Sequence, residues 1–308
     1  KYDALIPINE DTIIPICKNS SKFSNVLLPE FQDLEIALDK LKVVEKCVKL
    51  GIPTPRTFAP KDYMELKRLS KELTYPVFVK IRHEGLVFPR YRICHSEKTL
   101  LQEYTTLQRI ETPIIQEQVK GFGTGLFALF DKEHKLKAYF IHRRIREYPI
   151  TGGVSTFSES FWNKQVLEYG LKLLKALNWV GVGMVEFRFD TEHNVPRVLE
   201  VNPRFWGSLP LATHSGVDFP YLLYKLIIRE DFTPVLQYKL NVKCRFAEDI
   251  NTLFKKFQKE RKLLKTAKDI LSSVLAKDAD LDLKDPRPSL SLMMPPFKKI
   301  AKMIRGPS

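Results

Sequence analysis

The sequence predicts an α+β fold, a mixed sheet domain with antiparallel strand pairs instead of a purely parallel sheet. Three observations predict it. Strand-like and helix-like segments alternate along most of the 308 residues, enough chain for two domains or one large α/β unit. Neighbouring strands are joined by short polar turns, TGLFALFD to LKAYFIHRRIREY and VGVGMVEFRFD to RVLEVNPRF, so the chain doubles back on itself as hairpins. A composition that is 44% hydrophobic and 28% charged is that of a globular protein, not a disordered one.

Each element follows from local pattern. DALIPI reads as a strand. A helical stretch runs from about Glu30 to Leu50 and closes on Gly51 as a C-terminal cap. GIPTPRTF is a connector, because Pro53 and Pro55 forbid helix. KDYMELKRLSKEL spaces its apolar residues three to four apart and predicts a helix. YPVFVKIR is a strand, SEKTLLQEYTTLQRI a helix, and TPIIQEQVKGFG a strand running into glycines. The hairpin turning near Lys132 to Lys135 comes next. ITGGVSTFSES then reads as a loop into a helix from Glu159 to Leu177 with Ser158 as N-cap. The two strands around TEHNVP end the regular part.

The chain does not open on Met and its first residues already read as a strand, so we expect the front of a domain to lie outside it. No secretory leader and no apolar run of about 18 residues is seen, which predicts no membrane span. The cysteines at 17, 47, 94 and 244 form no CxxC pair and suggest reduced thiols in a cytoplasmic protein. The six histidines form no HxxxH pair, which argues against a histidine metal site. Of the net charge of +14, the stretch from Leu236 to Ser308 carries +9. Within it Ile250, Leu253, Phe254, Phe257, Leu264, Ala267, Leu271 and Val274 recur at helical spacing among lysines. Such a helix either packs on the protein body or, helped by PPFKKIAKMIRG, makes peripheral contact with an anionic membrane surface. No recognition helix or aromatic-basic strand motif points to nucleic acid.

Chemistry concentrates in VLEVNPRFWGS. Glu200, Asn202 and Arg204 alternate there, and strand side chains alternate with period two, so the three share a face opposite Leu199 and Val201. The hairpin turn centres near His193, with Glu186 seven residues before it and Glu200 seven after. A symmetric register sets the two carboxylates opposite each other. Like charges so placed repel by about 1 kcal/mol in water and several times more in a drier cleft, unless a cation lies between them. Two carboxylates and an amide are oxygen ligands of the kind Mg²⁺ takes, with its other positions left to water and phosphates. The bland alternative is a solvent-facing polar stripe. Lys80 ends its strand where it could meet a phosphate as a point charge, and Glu117 ends another where backbone could lie along an adenine edge. Either residue alone is also an ordinary surface residue.

The ordered series DK, GIPTPRTF, YPVFVK, IIQEQVKG, HRRIREYPITGGVS, MVEFRFD and LEVNPRFWGS resembles the ATP-grasp superfamily from about Tyr2 to Leu226. Within it the resemblance is to carboxylate–amine ligases related to the carbamoyl-phosphate synthase large subunit and biotin carboxylase. It implies an ATP-grasp fold: two α/β subdomains clasping a nucleotide, an antiparallel catalytic sheet, a remnant N-terminal α/β segment and a helical basic tail. The boundaries expected are 1–38 for the remnant, 39–235 for the grasp domain and 236–308 for the tail. Within the grasp domain, about 75–118 would form the lid subdomain and 119–235 the catalytic one.

The resemblance further implies roles. Lys40 and Lys80 would contact ATP phosphates, and Glu117 would accept from the adenine amino group beside the backbone of Gln118 and Val119. Glu186, Glu200 and Asn202 would hold one or two Mg²⁺, with Mn²⁺ as a substitute. Arg204 would stabilise charge as a phosphoryl group passes to a carboxylate. Alternation places His142, Arg144 and Arg146 on one face of HRRIREYP, and Arg144 and Arg146 are favoured for contact with carboxylate or phosphate. Gly152, Gly153, Ser155 and Thr156 would offer an anion site, and Trp206, Gly207 and Ser208 would lead into the acceptor pocket.

The implied activity is an ATP- and Mg-dependent ligase joining a small carboxylate to an amine through an acyl phosphate. Two alternatives remain: carbamoyl-phosphate-synthase-like phosphorylation of a small carboxylate, and a weakly catalytic nucleotide-binding module recruited by its basic tail. One departure favours the last. The segment IRHEGLVFPRYRI, with Gly85 alone and bulky Phe88 and Tyr91, stands where the family has a glycine-rich phosphate loop. There Arg82, His83, Arg90 and Arg92 would have to substitute by charge. Gly121-Phe122-Gly123 likewise stands where some relatives carry a ribose-binding carboxylate.

Overall fold

The computed structural model describes residues 2–83, 91–148, 153–246 and 263–279, together with residues 249, 252, 253 and 256. The chain forms two compact units: Lys1–Tyr139, Asn163–Phe205 and Pro220–Pro234 make the first, and Phe140–Trp162, Trp206–Phe219 and Val235–Ser308 the second.

The first unit begins irregularly. DALIPI forms no strand; Pro7 lacks the N–H a ladder needs, and the segment is tied by Leu5 N–H to the Asn25 carbonyl at 2.8 Å. Helix α1 (Glu10–Lys18) follows, capped by the Asn9 side chain. The expected continuous helix from Glu30 to Leu50 is broken into α2 (Phe31–Leu38) and α3 (Lys40–Lys49). The break is at Asp39, whose extended backbone and carboxylate, accepting from Leu41 N–H at 2.9 Å, make it the N-cap of α3. Gly51, at φ +65°, ends α3 as the pattern predicted.

A four-stranded antiparallel sheet comes next, in the order β1 (Thr57–Phe58), β4 (Ile114–Glu117), β2 (Val77–Lys80), β3 (Tyr91–Cys94). Helix α4 (Tyr63–Glu72) starts at the Asp62 cap, and α5 (Glu97–Gln108) at a capping box made by Ser96 and Thr99. Their apolar residues Leu66, Leu100, Tyr104 and Leu107 pack with Val77, Val79 and Ile115. Because β2 alternates, Val77 and Val79 enter that core while Phe78 and Lys80 turn to the other face.

The unit is completed by β5 (Gly121–Phe130), the first residues of β6 (Leu136–Tyr148), α6 (Lys164–Ala176), β8 (Gly181–Asp190) and β9 (Val195–Asn202), with β8 antiparallel to both β5 and β9. Helix α6 is capped by Asn163, which accepts from Val166 N–H at 3.0 Å, and not by Ser158. Ser158 is buried in a strand, β7 (Val154–Ser160), where a loop was expected. The β8–β9 turn is closed by Asp190, which accepts from the backbone of Glu192 and His193 and from Arg197 Nε at 2.9 Å. Burial alone would raise its pKa, but these donors hold it down at about 2.

In the second unit the rest of β6 pairs with β7, β7 with β10 (Lys243–Arg245), and β10 in parallel with β11 (Lys277–Asp278). Two helices of this stretch are α7 (Leu209–His214) and α9 (Leu263–Val274); α8 (Phe219–Ile227) has only its first residue here. Among the described residues no helix is long and apolar enough to cross a membrane. The four cysteines are buried and form no disulfide with one another.

Gly121 opens β5 at φ +142°, where a Cβ would lie 1.8 Å from the Phe189 carbonyl oxygen. Gly121→Ala is expected to lower unfolding stability by about 2 kcal/mol or more, read as a lower urea midpoint.

Candidate functional site

The site grows from a register shift. From the turn, the β8–β9 ladder pairs Asp190 with Val195 and Phe187 with Val198. Continued unchanged, it would set Leu199 opposite Glu186. A bulge at Leu199 instead places Glu200 opposite Glu186 and Asn202 opposite Met184. The symmetric register assumed from the sequence, centred on His193, is therefore reached by another route. The turn centres between Glu192 and His193, and the bulge supplies the missing residue.

Two lysines offset the facing carboxylates. Lys40, the first residue of α3, places Nζ 3.2 Å from Glu200 Oε2. Its position is set by Asp39, buried at 1% exposure, which takes both an ion pair and a second bond from Arg82 (Nε to Oδ1, 3.1 Å). The Lys40 N–H in turn donates to the Arg82 carbonyl at 3.1 Å. Burial would raise the Asp39 carboxyl, but Arg82 and the helix amides bring it below its usual range. Lys80 donates to Gln116 Oε1 at 2.7 Å, and Gln116 Nε2 donates onward to Thr57 Oγ1 at 3.0 Å. Burial pushes the Lys80 ammonium down to about 8; Glu200 and Glu186 pull it up, while Lys40 and Arg188 push it further down. Glu200 shows the reverse balance: burial would raise it, yet Lys40 and Lys80 hold it near 2.

A chain of polar contacts continues from Glu200. Asn202 Nδ2 donates to Glu200 Oε1 at 3.3 Å, and Arg204 Nη2 donates to Asn202 Oδ1 at 3.2 Å. Arg204 Nε donates to Glu10 Oε1 at 2.8 Å. Glu186, Glu200 and Asn202 are all oxygen donors brought to one place, in a charge environment already built around two anions. They fit a hard divalent cation such as Mg²⁺. Among the described residues, one cluster of three His, Cys, Asp or Glu comes together, Asp190, Glu192 and His193. Its bonds are those that close the hairpin turn.

Glu117 ends β4 at the rim of the same unit, where its carboxylate pairs with Arg56 Nη1 at 3.1 Å. Gln118 is exposed and Val119 half-buried on the segment leading to β5. Sequence reading missed Glu10, Arg56 and Gln116, and saw no role for Asp39. Gln116 left one signal, an amide inside the otherwise apolar run PIIQ, and it is 2% exposed. Glu10 left none, since 194 residues separate it from Arg204.

The residues predicted on HRRIREYP, TGGVST and WGS lie in the second unit. Arg144 and Arg146 do not share a face, because Ile145 bulges out of β6 between them. Arg144 Nη1 donates to the Gly153 carbonyl at 3.1 Å. Arg146 is enclosed: Nε donates to Asp249 Oδ1 at 2.8 Å, Nη2 reaches Ser273, and the guanidinium lies 4.0 Å over the Phe157 ring. Its fork is spent on tying the C-terminal segment to the sheet. Ser208 Oγ lies 3.0 Å from His142 Nδ1, and burial together with Arg144 keeps that imidazole well below its ordinary pKa. Ser155 is half-buried and Thr156 bonds to Asp249 at 3.1 Å. Gly152, Gly85, Phe88 and Arg90 lie outside the described residues, as do Ile250, Phe254, Phe257 and PPFKKIAKMIRG. Arg82 and His83 do not stand free as substitute phosphate ligands; Arg82 is bound to Asp39 and His83 to Glu111. Arg92 pairs with Glu103 at 3.0 Å. Helix α9 turns Asp269 and Ser273 inward, and Ile270, Leu271 and Leu275 are exposed.

Comparison with known proteins shows what the chain is similar to. The profile of a family described as "ATP-grasp in the biosynthetic pathway with Ter operon" matches residues 132–249. The carbamoyl phosphate synthase large chain of Clostridium acetobutylicum is 25% identical over 212 residues, covering 66% of this chain and 20% of that protein. The 2-oxoglutarate carboxylase small subunit of Hydrogenobacter thermophilus is 26% identical over 219 residues, covering 62% of this chain and 43% of that one. This chain therefore spans less than half the length of either. The biotin carboxylase domain of the Hydrogenobacter enzyme, solved with MgADP, ADP and bicarbonate, superposes with a TM-score of 0.62 at 20% identity, over 76% of this chain and 54% of that one. At that identity the likeness is one of fold.

Arg146→Leu leaves Asp249 buried without its main cation. We expect a loss of about 3–5 kcal/mol in urea unfolding, largely recovered when Asp249→Leu is added, because the apolar pair needs no counter-charge.

Proposed function

We propose that this chain, an ATP-grasp protein by fold and by sequence similarity, is an ATP- and Mg²⁺-dependent ligase that joins a small carboxylate to an amine through an acyl phosphate. The observation that carries the reading is the pair of opposed carboxylates, Glu186 and Glu200, with Lys40 and Lys80 set around them. Two anions and two ammonium groups on separate elements suit a metal-bound polyphosphate, which is both cation and anion.

Glu186, Glu200 and Asn202 would hold the metal, which when bound neutralises phosphate charge and orients the terminal phosphoryl group. Lys40 and Lys80 supply point charges to the phosphates. Glu117 and the backbone of Gln118 and Val119 meet the adenine edge once Glu117 leaves Arg56. Arg204 presents its planar fork to the charge that develops as the γ-phosphoryl passes to the carboxylate oxygen. The amine nitrogen then attacks the acyl carbon. The carbon–nitrogen bond forms, the carbon–oxygen bond to phosphate breaks, and the amine loses a proton as inorganic phosphate leaves. In the second unit Arg144, Ser155 and Ser208 are proposed as contacts for a small carboxylate substrate; Arg146 is not one of them, because Asp249 and Ser273 engage it.

Calorimetric titration with MgADP tests the nucleotide site. We expect binding to the wild type and at least a tenfold loss in Glu200→Ala. Phosphate release from ATP, screened against amino and hydroxy acids, should then rise with one class of acid. Absence of any MgADP binding to the wild type overturns the reading.

The Lys80 pKa gives a second test. Near pH 8 this lysine is about half neutral, and a bound phosphate raises its pKa towards the ordinary value. Binding must then take up about half a proton per site at pH 8, and affinity must fall as pH rises above 8. The heat of binding in buffers of different ionisation enthalpy reads the uptake, which Lys80→Met should abolish.

A further inference from the structure

We propose that Lys40 is the resident cation of the carboxylate site, and that the divalent metal enters only with the nucleotide, whose phosphates draw Lys40 off Glu200. The inference rests on the nucleotide reading above and adds to it an order of binding and the residue that enforces it.

The geometry is specific to Lys40. Its Nζ stands 3.2 Å from Glu200 Oε2, with the two side chains only 13% and 20% exposed. Glu200 is the carboxylate that the Leu199 bulge turns to face Glu186, so the ammonium sits on one of the two anions a metal needs. The backbone of Lys40 cannot drift away. Asp39 caps the helix, Arg82 clamps Asp39, and the Lys40 N–H is bonded to the Arg82 carbonyl. Only the four-carbon stem is left to move, so the ammonium swings between nearby anions from a fixed root. Lys80 differs: its Nζ is held by Gln116, and its influence on Glu200 is electrostatic without a direct bond.

Charge then sets the order. Glu186, Glu200, Lys40 and Lys80 together sum to zero. A free dication arriving alone must displace Lys40 from Glu200 and leave two lysines beside it with no new anion, a net +2 in a partly enclosed site. A metal–nucleotide complex brings its own phosphates, which take Lys40 and Lys80 while Glu186 and Glu200 take the metal. The site is thus closed to free metal by its own lysine and open to the complex.

Mn²⁺ binding followed by electron paramagnetic resonance, without nucleotide, tests this. Wild type and Lys40→Arg, which keeps the cation, are expected to bind Mn²⁺ only in the millimolar range or weaker. Lys40→Met should bind at least tenfold more tightly. Lys80→Met removes the same charge but leaves Lys40 on Glu200, and should gain less than threefold. Strong Mn²⁺ binding by the wild type, or equal affinity in wild type and Lys40→Met, overturns the proposal. So does an equal gain in the two methionine variants, which would make the effect one of charge alone.

Should Lys40→Met fail to fold by circular dichroism, the wild type still decides. ADP must raise Mn²⁺ affinity at the protein at least tenfold, since coupling between two ligands is reciprocal, and no enhancement overturns the proposal. Parallel titration of the wild type with MgADP separates the two claims. Absence of MgADP binding defeats the nucleotide reading, whereas normal MgADP binding with tight free-metal binding defeats only the role given to Lys40.

Discussion

One extra residue in one strand decides which side chains of the β8–β9 hairpin face each other. Without the bulge at Leu199, the β8–β9 ladder would set a leucine opposite Glu186 and turn Glu200 away from it. With it, two carboxylates face each other at the end of a hairpin whose other end is locked by Asp190 and Arg197. Facing carboxylates are a strain on any sheet, and the surrounding structure answers it with cations drawn from distant parts of the chain. Lys40 comes from a helix start and Lys80 from a strand end. The depressed pKa of Glu200 and the depressed pKa of Lys80 are two sides of one arrangement, in which burial works against both charges and each charge keeps the other ionised.

The supports behind these groups are as ordered as the groups themselves. Asp39 splits what reads as one helix into two and puts Lys40 on the first turn of the second. It also binds Arg82, so α3 is attached to the end of β2 close to Lys80. Gln116 fixes Lys80 from the neighbouring strand, and Glu10 fixes Arg204 from the first helix. Each support is a hydrogen-bonded residue that restricts a long, flexible cation to a small range of positions.

The second unit shows the opposite use of an arginine. Arg146 has the same fork as Arg204, yet it is enclosed by Asp249, Ser273 and Phe157. A bulge is again the cause: Ile145 swings out of β6, and the residues on either side of it fall on opposite faces. Simple alternation placed Arg144 and Arg146 together because it counts residues, and a bulge is a place where residue count and ladder count part. The strand β7, read from the sequence as part of a loop leading into a helix, was missed for a related reason. Its threonine, Thr156, bonds to Asp249 and Thr252, which lie nearly a hundred residues away.

What the sequence determined alone is what short-range physics controls. Strand alternation put Val77 and Val79 inward and Lys80 outward, capping residues began α4 and α5, and the hairpins closed on polar turns. The order of motifs was enough to carry the fold resemblance, and with it the expectation of nucleotide and metal. Only tertiary structure decided the register that makes the carboxylates face, the break at Asp39, the hold of Glu10 on Arg204 and the enclosure of Arg146. Each of these is a contact between residues far apart in the chain, or a one-residue irregularity whose energy is recovered elsewhere in the fold. A local pattern records which residues could pair; which of them do is settled by the packing that brings them within 3 Å of each other.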